Sequence, residues 1–309
     1  MSIRFDGRVA IVTGAGNGLG RSHALGLAER GAKVIVNDLG SALDGRGRTS
    51  AAAEKVVAEI VAKGGQAMAD GASVTSAEDV KAMVERVMAK WGRIDILVNN
   101  AGILRDKTFA KMELDDFRTV LDVHLMGSVI CTRAVWEIMR TQNYGRIVFT
   151  TSSSGLYGNF GQSNYGAAKT GMIGLMNVLH QEGAKNDIRV NILSPTAATR
   201  MTEALLPKEA LELMTPASIT PGVLYLVSEN APSRVMLAAG AGGFAQAIIR
   251  ETDGIYLPEA ERKPETIAAR FSEISDQAGM RDLKGAFEQT DKFVSKAAKA
   301  KGIKLPERK

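Results

Sequence analysis

Short apolar runs alternate with longer stretches of helical periodicity along most of this chain. Val9-Ala10-Ile11-Val12 is an unbroken apolar run that ends in a glycine cluster, and Val34-Ile35-Val36 follows a helical pattern that stops at Gly31. Ile94-Asp95-Ile96-Leu97-Val98, Arg146-Ile147-Val148-Phe149 and Arg189-Val190-Asn191-Ile192-Leu193 repeat the theme. Such runs, separated by helices, predict a parallel sheet covered on both faces. Strand, helix and strand in repetition predict an α/β, doubly wound, Rossmann-type fold over residues 1–240. A Gly/Arg/Ser-rich loop is expected from Leu39 to Ser50. Past Gly240 the rhythm fades. Gly240-Ala241-Gly242-Gly243 reads as a hinge or turn, Phe244 to Leu257 as a strand or hairpin, and 262–276 and 281–299 as helices. Residues 241–309 are therefore read as a C-terminal extension, packing on the core or on a neighbouring subunit.

Composition narrows the class. The chain has 309 residues, 45% hydrophobic and 24% charged, too apolar for a disordered protein. One cysteine, Cys131, excludes a disulfide framework or a multi-thiolate metal site, and its apolar surroundings predict a buried small hydrophobe. No metal is expected, since no His-Glu-x-x-His or Cys pair occurs. No apolar run approaches the roughly 20 residues of a membrane span. The polar start Met1 to Asp6 and the end Pro306-Glu307-Arg308-Lys309, which is not a Ser-Lys-Leu address, set the expectation of a cytoplasmic protein. The net charge of +5 is concentrated: residues 292–309 hold seven Lys/Arg against Glu307, leaving 32 basic and 33 acidic residues elsewhere. A basic tail can steer an anionic ligand or touch nucleic acid, but the expectation is a solubilising, frayed terminus with no nucleic-acid partner.

Thr13-Gly14-Ala15-Gly16-Asn17-Gly18-Leu19-Gly20 lies between an expected strand and an expected helix. Glycines there allow a tight turn and close approach to a pyrophosphate, and the helix start offers free N–H groups. Asp38 closes the second strand, where a carboxylate accepts from ribose hydroxyls and repels a 2′-phosphate. NAD is therefore expected over NADP, although Arg46 and Arg48 are placed to swing toward a 2′-phosphate.

Tyr165 and Lys169 are four apart, on one face of a helix, and Ser152 stands thirteen residues before Tyr165 at a strand end. An ammonium beside a phenol is expected to lower its pKa toward neutrality, making a general acid/base for an alcohol and a carbonyl. Ser152 is placed to hydrogen-bond the substrate oxygen. Thr151 to Gly155 is not a hydrolase elbow, because the Gly-x-Ser-x-Gly frame is missing.

Thr13-Gly14…Gly18…Gly20, Asn99-Asn100-Ala101-Gly102, Ser152 and Tyr165…Lys169 together resemble the short-chain dehydrogenase/reductase family over residues 5 to about 240. The resemblance implies a nicotinamide cofactor, with Lys169 on the nicotinamide ribose and Asn100, Ala101 and Gly102 against the cofactor. Further stretches resemble one subgroup, the (3R)-hydroxyacyl-CoA dehydrogenase part of the type 2 peroxisomal multifunctional enzymes. They are Arg4 to Val9, Val36 to Gly40, Asn99 to Asp106, Tyr157 to Gln162, and Arg200-Met201-Thr202. That implies an acyl-CoA substrate, Ser73 and Val74 against the adenine, and a homodimer or homotetramer. Where many members carry an Asn that holds a relay water, this chain has His124, readable as a relay group or as a packed structural histidine.

The expected substrate loop, Pro195 to Ser218, with Met201 and Met214, suits an acyl chain or a sterol and has no Arg cluster for a free carboxylate. His23 and His180 are expected at a surface or an interface. The apolar face of Met172, Met176 and Leu179 fits either subunit contact or core packing. The alternatives are a dehydrogenase of steroids or other bulky secondary alcohols and, outside enzymes, an NAD-sensing scaffold.

Overall fold

Every residue of Val9–Thr13 (β1) is buried, as a strand covered on both faces must be. The computed structural model describes residues 2–40, 49–197 and 207–306. After β1 come α1 (Gly18–Glu29), β2 (Lys33–Asn37), α2 (Ala51–Ala62), β3 (Gln66–Asp70), α3 (Ala77–Trp91) and β4 (Ile96–Asn99). Then follow α4 (Leu114–Leu121), α5 (Gly127–Gln142), β5 (Gly145–Thr150), α6 (Ser153–Tyr157), α7 (Ser163–Gly183) and β6 (Ile188–Thr196). The first unit closes with α8 (Lys208–Leu213), α9 (Pro216–Leu226), β7 (Met236–Gly240) and β8 (Gly243–Ala247). Among the described residues the strands form one sheet in the order β3-β2-β1-β4-β5-β6-β7-β8. All neighbours are parallel except the antiparallel β7–β8 pair. The winding reverses at β1 and β4, and in such sheets the ligand crevice opens at the carboxyl ends of the strands there.

Alternation along β1 divides two cores. Ala10 and Val12 join Leu27 of α1, Val56 and Ile60 of α2 and Val223 of α9 on one face. Val9 and Ile11 join Val80 of α3, Cys131 and Val135 of α5 and Met172 and Met176 of α7 on the other. Full burial of one such side chain contributes about 1.5–3 kcal/mol. A third, small cluster of Ile103, Val120 and Ala168 has Tyr165 packed at its edge. Between α4 and α5 the helix takes a single π-turn, Asp122–Met126, which carries His124.

The predicted fold class is the observed one, with three corrections. Two strands, β3 and β7, had no signal: Gln66-Ala67-Met68-Ala69-Asp70 and Met236-Leu237-Ala238-Ala239-Gly240 lack β-branched residues, and sheet neighbours rather than propensity hold them extended. The hinge or turn expected at Gly240–Gly243 is a two-residue hairpin turn with Ala241 at φ 48 and Gly242 at φ 80. It carries the chain into β8, so the first compact unit ends at Ala247, not at 240. Finally, His23, expected at a surface or an interface, is wholly buried on α1, its Nδ1 2.9 Å from Thr220 Oγ1, while Met172 and Met176, each 1% exposed, take the core packing that was one of their two readings.

Residues from Ile248 onward form the second unit. It contains α10 (Pro264–Ala269), α11 (Phe271–Ile274) and α12 (Ala286–Lys301). Glu251 and Arg281 pair through their backbones. Two of the tail lysines are anchors, contrary to the frayed terminus expected. Lys292, 2% exposed at its side chain, donates to Thr252 O at 2.8 Å and to the Glu251 carboxylate. Lys296 donates to the Asp253 carboxylate at 2.6 Å and to the Asp253 and Gly254 carbonyls, each at 2.7 Å. Among the described residues no helix is long and apolar enough to cross a membrane.

Candidate active site

At the carboxyl end of β1, Thr13 ties two strand ends together. Its hydroxyl accepts the N–H of Asn100 at 3.0 Å and of Ala101 at 3.1 Å. The Asn100 side-chain amide in turn donates to the carbonyls of Thr13 and Gly14, both at 3.1 Å. Asn100 therefore braces the glycine loop from β4, a use that sequence spacing does not reveal. Gly14 has φ +61 and a Cβ there would lie 2.8 Å from Ala101 Cα; a Cβ on Gly20 would lie 2.2 Å from Gly14 O. Neither position admits a side chain without moving backbone. Asn17 precedes α1 in extended conformation and its side chain does not cap the helix. The N–H groups of Gly18, Leu19 and Gly20 thus face forward with the positive end of the helix dipole, a cradle that fits a pyrophosphate.

Asp38 lies beside this loop. One carboxylate oxygen accepts the Gly16 N–H at 2.7 Å and the other the Gly40 N–H at 2.7 Å. A carboxylate retains lone pairs after two such bonds, so the pocket fits a ribose diol next to a fixed negative charge. Arg46 and Arg48 lie outside the described residues. Ser73 donates its N–H to Asp79 at 3.2 Å, while Val74 packs against the second core, close to Gly127.

The catalytic candidates converge at the end of β5. Ser152 is extended and its Oγ accepts the Ser154 N–H at 3.2 Å, starting α6. Tyr165 and Lys169 lie one turn apart on α7, and the Lys169 Nζ stands 5.3 Å from the centre of the Tyr165 ring. Lys169 is 3% exposed and donates to the Thr150 carbonyl at 2.6 Å. Thr151 Oγ1 donates to Lys169 O at 2.7 Å, locking α7 to the strand end.

The electrostatics depart from the expectation. The Tyr165 phenol is not lowered: burial pushes it up to about 12, Ser152 pulls it down by hydrogen bonding, and the Asp106 charge adds to the rise. Burial likewise pushes Lys169 down to about 7. Both charged forms lose hydration here, and at this separation the loss outweighs their attraction.

His124 meets Tyr165 edge-on, with ring centres 5.1 Å apart and planes at 89°. Burial and then the Lys169 charge hold the imidazole well below its ordinary range, so it is neutral. Its Nε2 lies 2.8 Å from Ile103 O and 3.1 Å from Ile103 N, while Nδ1 is buried without a partner. A neutral ring can donate to the carbonyl or accept from the N–H, not both. Gly102 makes room for this ring, since a Cβ would lie 2.2 Å from His124 Cε1.

Of the substrate loop, Met214 is buried, and Arg200, Met201 and Thr202 lie outside the described residues. Sequence reasoning gave no role to Asp106, Gln162 or Asn164, although the first two fall in stretches that carried the family resemblance. Gln162 donates to Asp106 at 2.6 Å and accepts from Ser154 Oγ at 2.7 Å. Asn164 Oδ1 accepts the Tyr165 N–H at 2.7 Å.

The chain is similar to known proteins. The model of the short chain dehydrogenase family matches residues 8–210. The chain is 46% identical over 292 residues to peroxisomal multifunctional enzyme type 2 of Mus musculus, covering 92% of this chain and 39% of that protein. It is 43% identical over 208 residues to 3-oxoacyl-[acyl-carrier-protein] reductase of Synechocystis, covering 67% and 81%. Among solved structures, full-length multifunctional enzyme type 2 of Drosophila melanogaster superimposes with TM-score 0.80 at 38% identity, covering 96% of this chain and 50% of that one. A 7 alpha-hydroxysteroid dehydrogenase complexed with NADH and 7-oxo glycochenodeoxycholic acid gives TM-score 0.70 at 30% identity, covering 79% and 96%. The chain thus spans half or less of the type 2 multifunctional enzymes it matches.

Proposed function

The chain belongs to the short-chain dehydrogenase/reductase family, an oxidoreductase of CH–OH groups that works with a nicotinamide cofactor, and we propose that it oxidises (3R)-hydroxyacyl-CoA to 3-ketoacyl-CoA with NAD. The observation that carries the reading is a Ser152–Tyr165–Lys169 site with a buried lysine, in a chain 46% identical to a multifunctional enzyme type 2. The 43% identity to a reductase named for 3-oxoacyl substrates supports the acyl class. Asp38 supports NAD: its fixed carboxylate favours ribose hydroxyls and repels a 2′-phosphate.

A nicotinamide, when bound, supplies the acceptor or donor of hydride. The chain's own residues handle the proton. Tyr165 Oη takes it from the alcohol hydroxyl or returns it to the carbonyl, and Ser152 Oγ hydrogen-bonds the same substrate oxygen. Lys169, poised near neutrality and anchored on Thr150 O, holds the ribose and exchanges protons beside the phenol. His124, neutral, packs edge-on to the Tyr165 ring and leaves Nδ1 to hydrogen-bond a relay water. Because burial raises the phenol, oxidation gains speed toward alkaline pH and reduction toward lower pH. The homodimer or homotetramer implied by the family resemblance has to use surface other than Met172 and Met176, and size-exclusion chromatography with light scattering reads it.

The test mixes purified protein with NAD or NADP and a medium-chain hydroxyacyl-CoA of either configuration, following absorbance of the reduced cofactor. Turnover with NAD and the (3R) isomer alone is expected. A steroid oxidised in place of both isomers would select the bulky-alcohol reading, which the resemblance to the hydroxysteroid dehydrogenase favours.

A further inference from the structure

Asp106 is held beside the turn that follows Ser152. Gln162 Nε2 donates to its Oδ2 at 2.6 Å, and Gln162 Oε1 is occupied by Ser154 Oγ at 2.7 Å and Asn159 Nδ2 at 3.1 Å. The backbone is clamped on both sides: Lys107 N donates to Gly161 O at 3.0 Å and Asn164 Nδ2 to Arg105 O at 3.0 Å. These bonds fix the carboxylate on Gln162, which lies three residues before Tyr165 and holds Ser154 with its other end. The neighbouring cations share a different carboxylate. Arg105 Nη1 pairs with Asp116 of α4 at 3.0 Å, and Lys107 Nζ pairs with the same carboxylate at 3.3 Å. The groups facing the phenol are Ser152, the neutral His124 and Lys169, whose ammonium is committed to Thr150 O, together with Asp106. Asp106 is the negative charge of this set: Gln162 ties it to the Ser152–Ser154 turn, and its charge acts in the direction that raises the phenol.

On the thioester reading above, on which this rests, we propose that Asp106 is a specificity-determining residue: it admits alcohols whose acyl end is neutral and turns away those with a free carboxylate beside the reacting carbon. A 3-hydroxy acid carries its carboxylate two bonds from the hydroxyl-bearing carbon, so with the hydroxyl at Tyr165 two negative charges share one cleft. A thioester presents a neutral carbonyl there, and the phosphates of its carrier lie at the far end of a long arm. Exclusion by like charge, rather than a matched pocket, then does the discriminating. It agrees with the lack of an Arg cluster in the Pro195–Ser218 stretch.

The experiment compares kcat/KM for free (3R)-hydroxybutyrate and its N-acetylcysteamine thioester, in wild type and Asp106→Asn. Asparagine keeps an oxygen for Gln162 and removes the charge. The free acid is expected to gain about tenfold relative to the thioester, and the acid limb of the kcat/KM profile for oxidation to move to lower pH. In unmodified protein, salt raised from 0.02 M to 0.5 M is expected to shrink the discrimination, since Asp106 is exposed. An unchanged ratio in Asp106→Asn, or discrimination indifferent to salt, overturns the proposal. Failure of the thioester reading appears separately, as wild type inactive on the thioester. The same ratio is then measured with a neutral and a carboxylate-bearing pair of whichever alcohols wild type oxidises.

Discussion

Replacing Lys169 by methionine removes the one ammonium buried beside the candidate general acid/base, and the stability consequence can be worked out. The folded protein holds Lys169 near 7 instead of 10.5. Where the folded pKa of a lysine is depressed, the unfolded chain binds the proton more tightly, so folding is penalised most at low pH. The penalty is full below about 7 and fades as pH rises toward 10.5. With those two values it is about 4 kcal/mol at pH 7.5 and about 2 kcal/mol at pH 9. Wild type should therefore gain about 2 kcal/mol across this window. Methionine carries no such penalty but leaves Thr150 O without its donor, a loss of about 1–3 kcal/mol. Lys169→Met is thus expected to be about 1–3 kcal/mol more stable than wild type at pH 7.5 and to converge with it near pH 9, with oxidation abolished. Urea titrations of both proteins at pH 7.5, 8.25 and 9 read the difference directly. The histidines are neutral throughout this range, and Cys131, pushed up to about 12, acts equally on both proteins. Parallel stability curves for the two proteins would refute the buried, depressed ammonium.

Tyr165→Phe removes one oxygen from a packed ring and should lower oxidation kcat by about a thousandfold while moving Tm by less than about 3 °C; retained turnover would reassign the proton to another group. Gly20→Ala places a methyl 2.2 Å from Gly14 O and 2.6 Å from Asn100 Nδ2, so the loop must shift, at about 1–3 kcal/mol. A KM for NAD raised at least tenfold is expected, and an unchanged KM would mean that the loop does not hold the cofactor. Lys292→Met strands Glu251 and Thr252 O; because Glu251 is 33% exposed, a loss of only about 1–2 kcal/mol is expected, read as faster proteolysis within 248–306 while 2–247 stays intact. Equal protection of both stretches in the variant would show that this anchor is dispensable.

What the sequence disclosed follows the reach of each interaction. β1, β2, β4, β5 and β6 were legible because strands buried on both faces need continuous apolar runs. β3 was not, because a strand at the sheet edge takes its conformation from one neighbour and needs no such run. Ser152, Tyr165 and Lys169 stood out by local spacing, and the structure brings them together at the end of β5. The level of the phenol did not follow from spacing, since i and i+4 place an ammonium near a ring but say nothing of how much water both have lost. Asn100 and Gly102 were picked out by motif, yet their partners, the Thr13 and Gly14 carbonyls and the His124 ring, are distant in sequence. Lys292 and Lys296 were read as solvated because net charge ignores where a counter-charge some forty residues earlier folds back.

The π-turn at Asp122–Met126 inserts one residue into an otherwise continuous helix, and each residue of an α-helix advances the chain by about 100°. The two helical halves are consequently out of phase. Val120, before the turn, faces the cluster under Tyr165, while Cys131, Val135 and Met139, after it, face the sheet. Deleting any one residue of the turn would restore an ordinary helix and swing one half away from its partner surface. The aim of His124 and the seating of three core side chains therefore depend on a single count of residues. Insertions and deletions tolerated in surface loops are barred from this segment, even though it lies within what local propensity presents as plain helix.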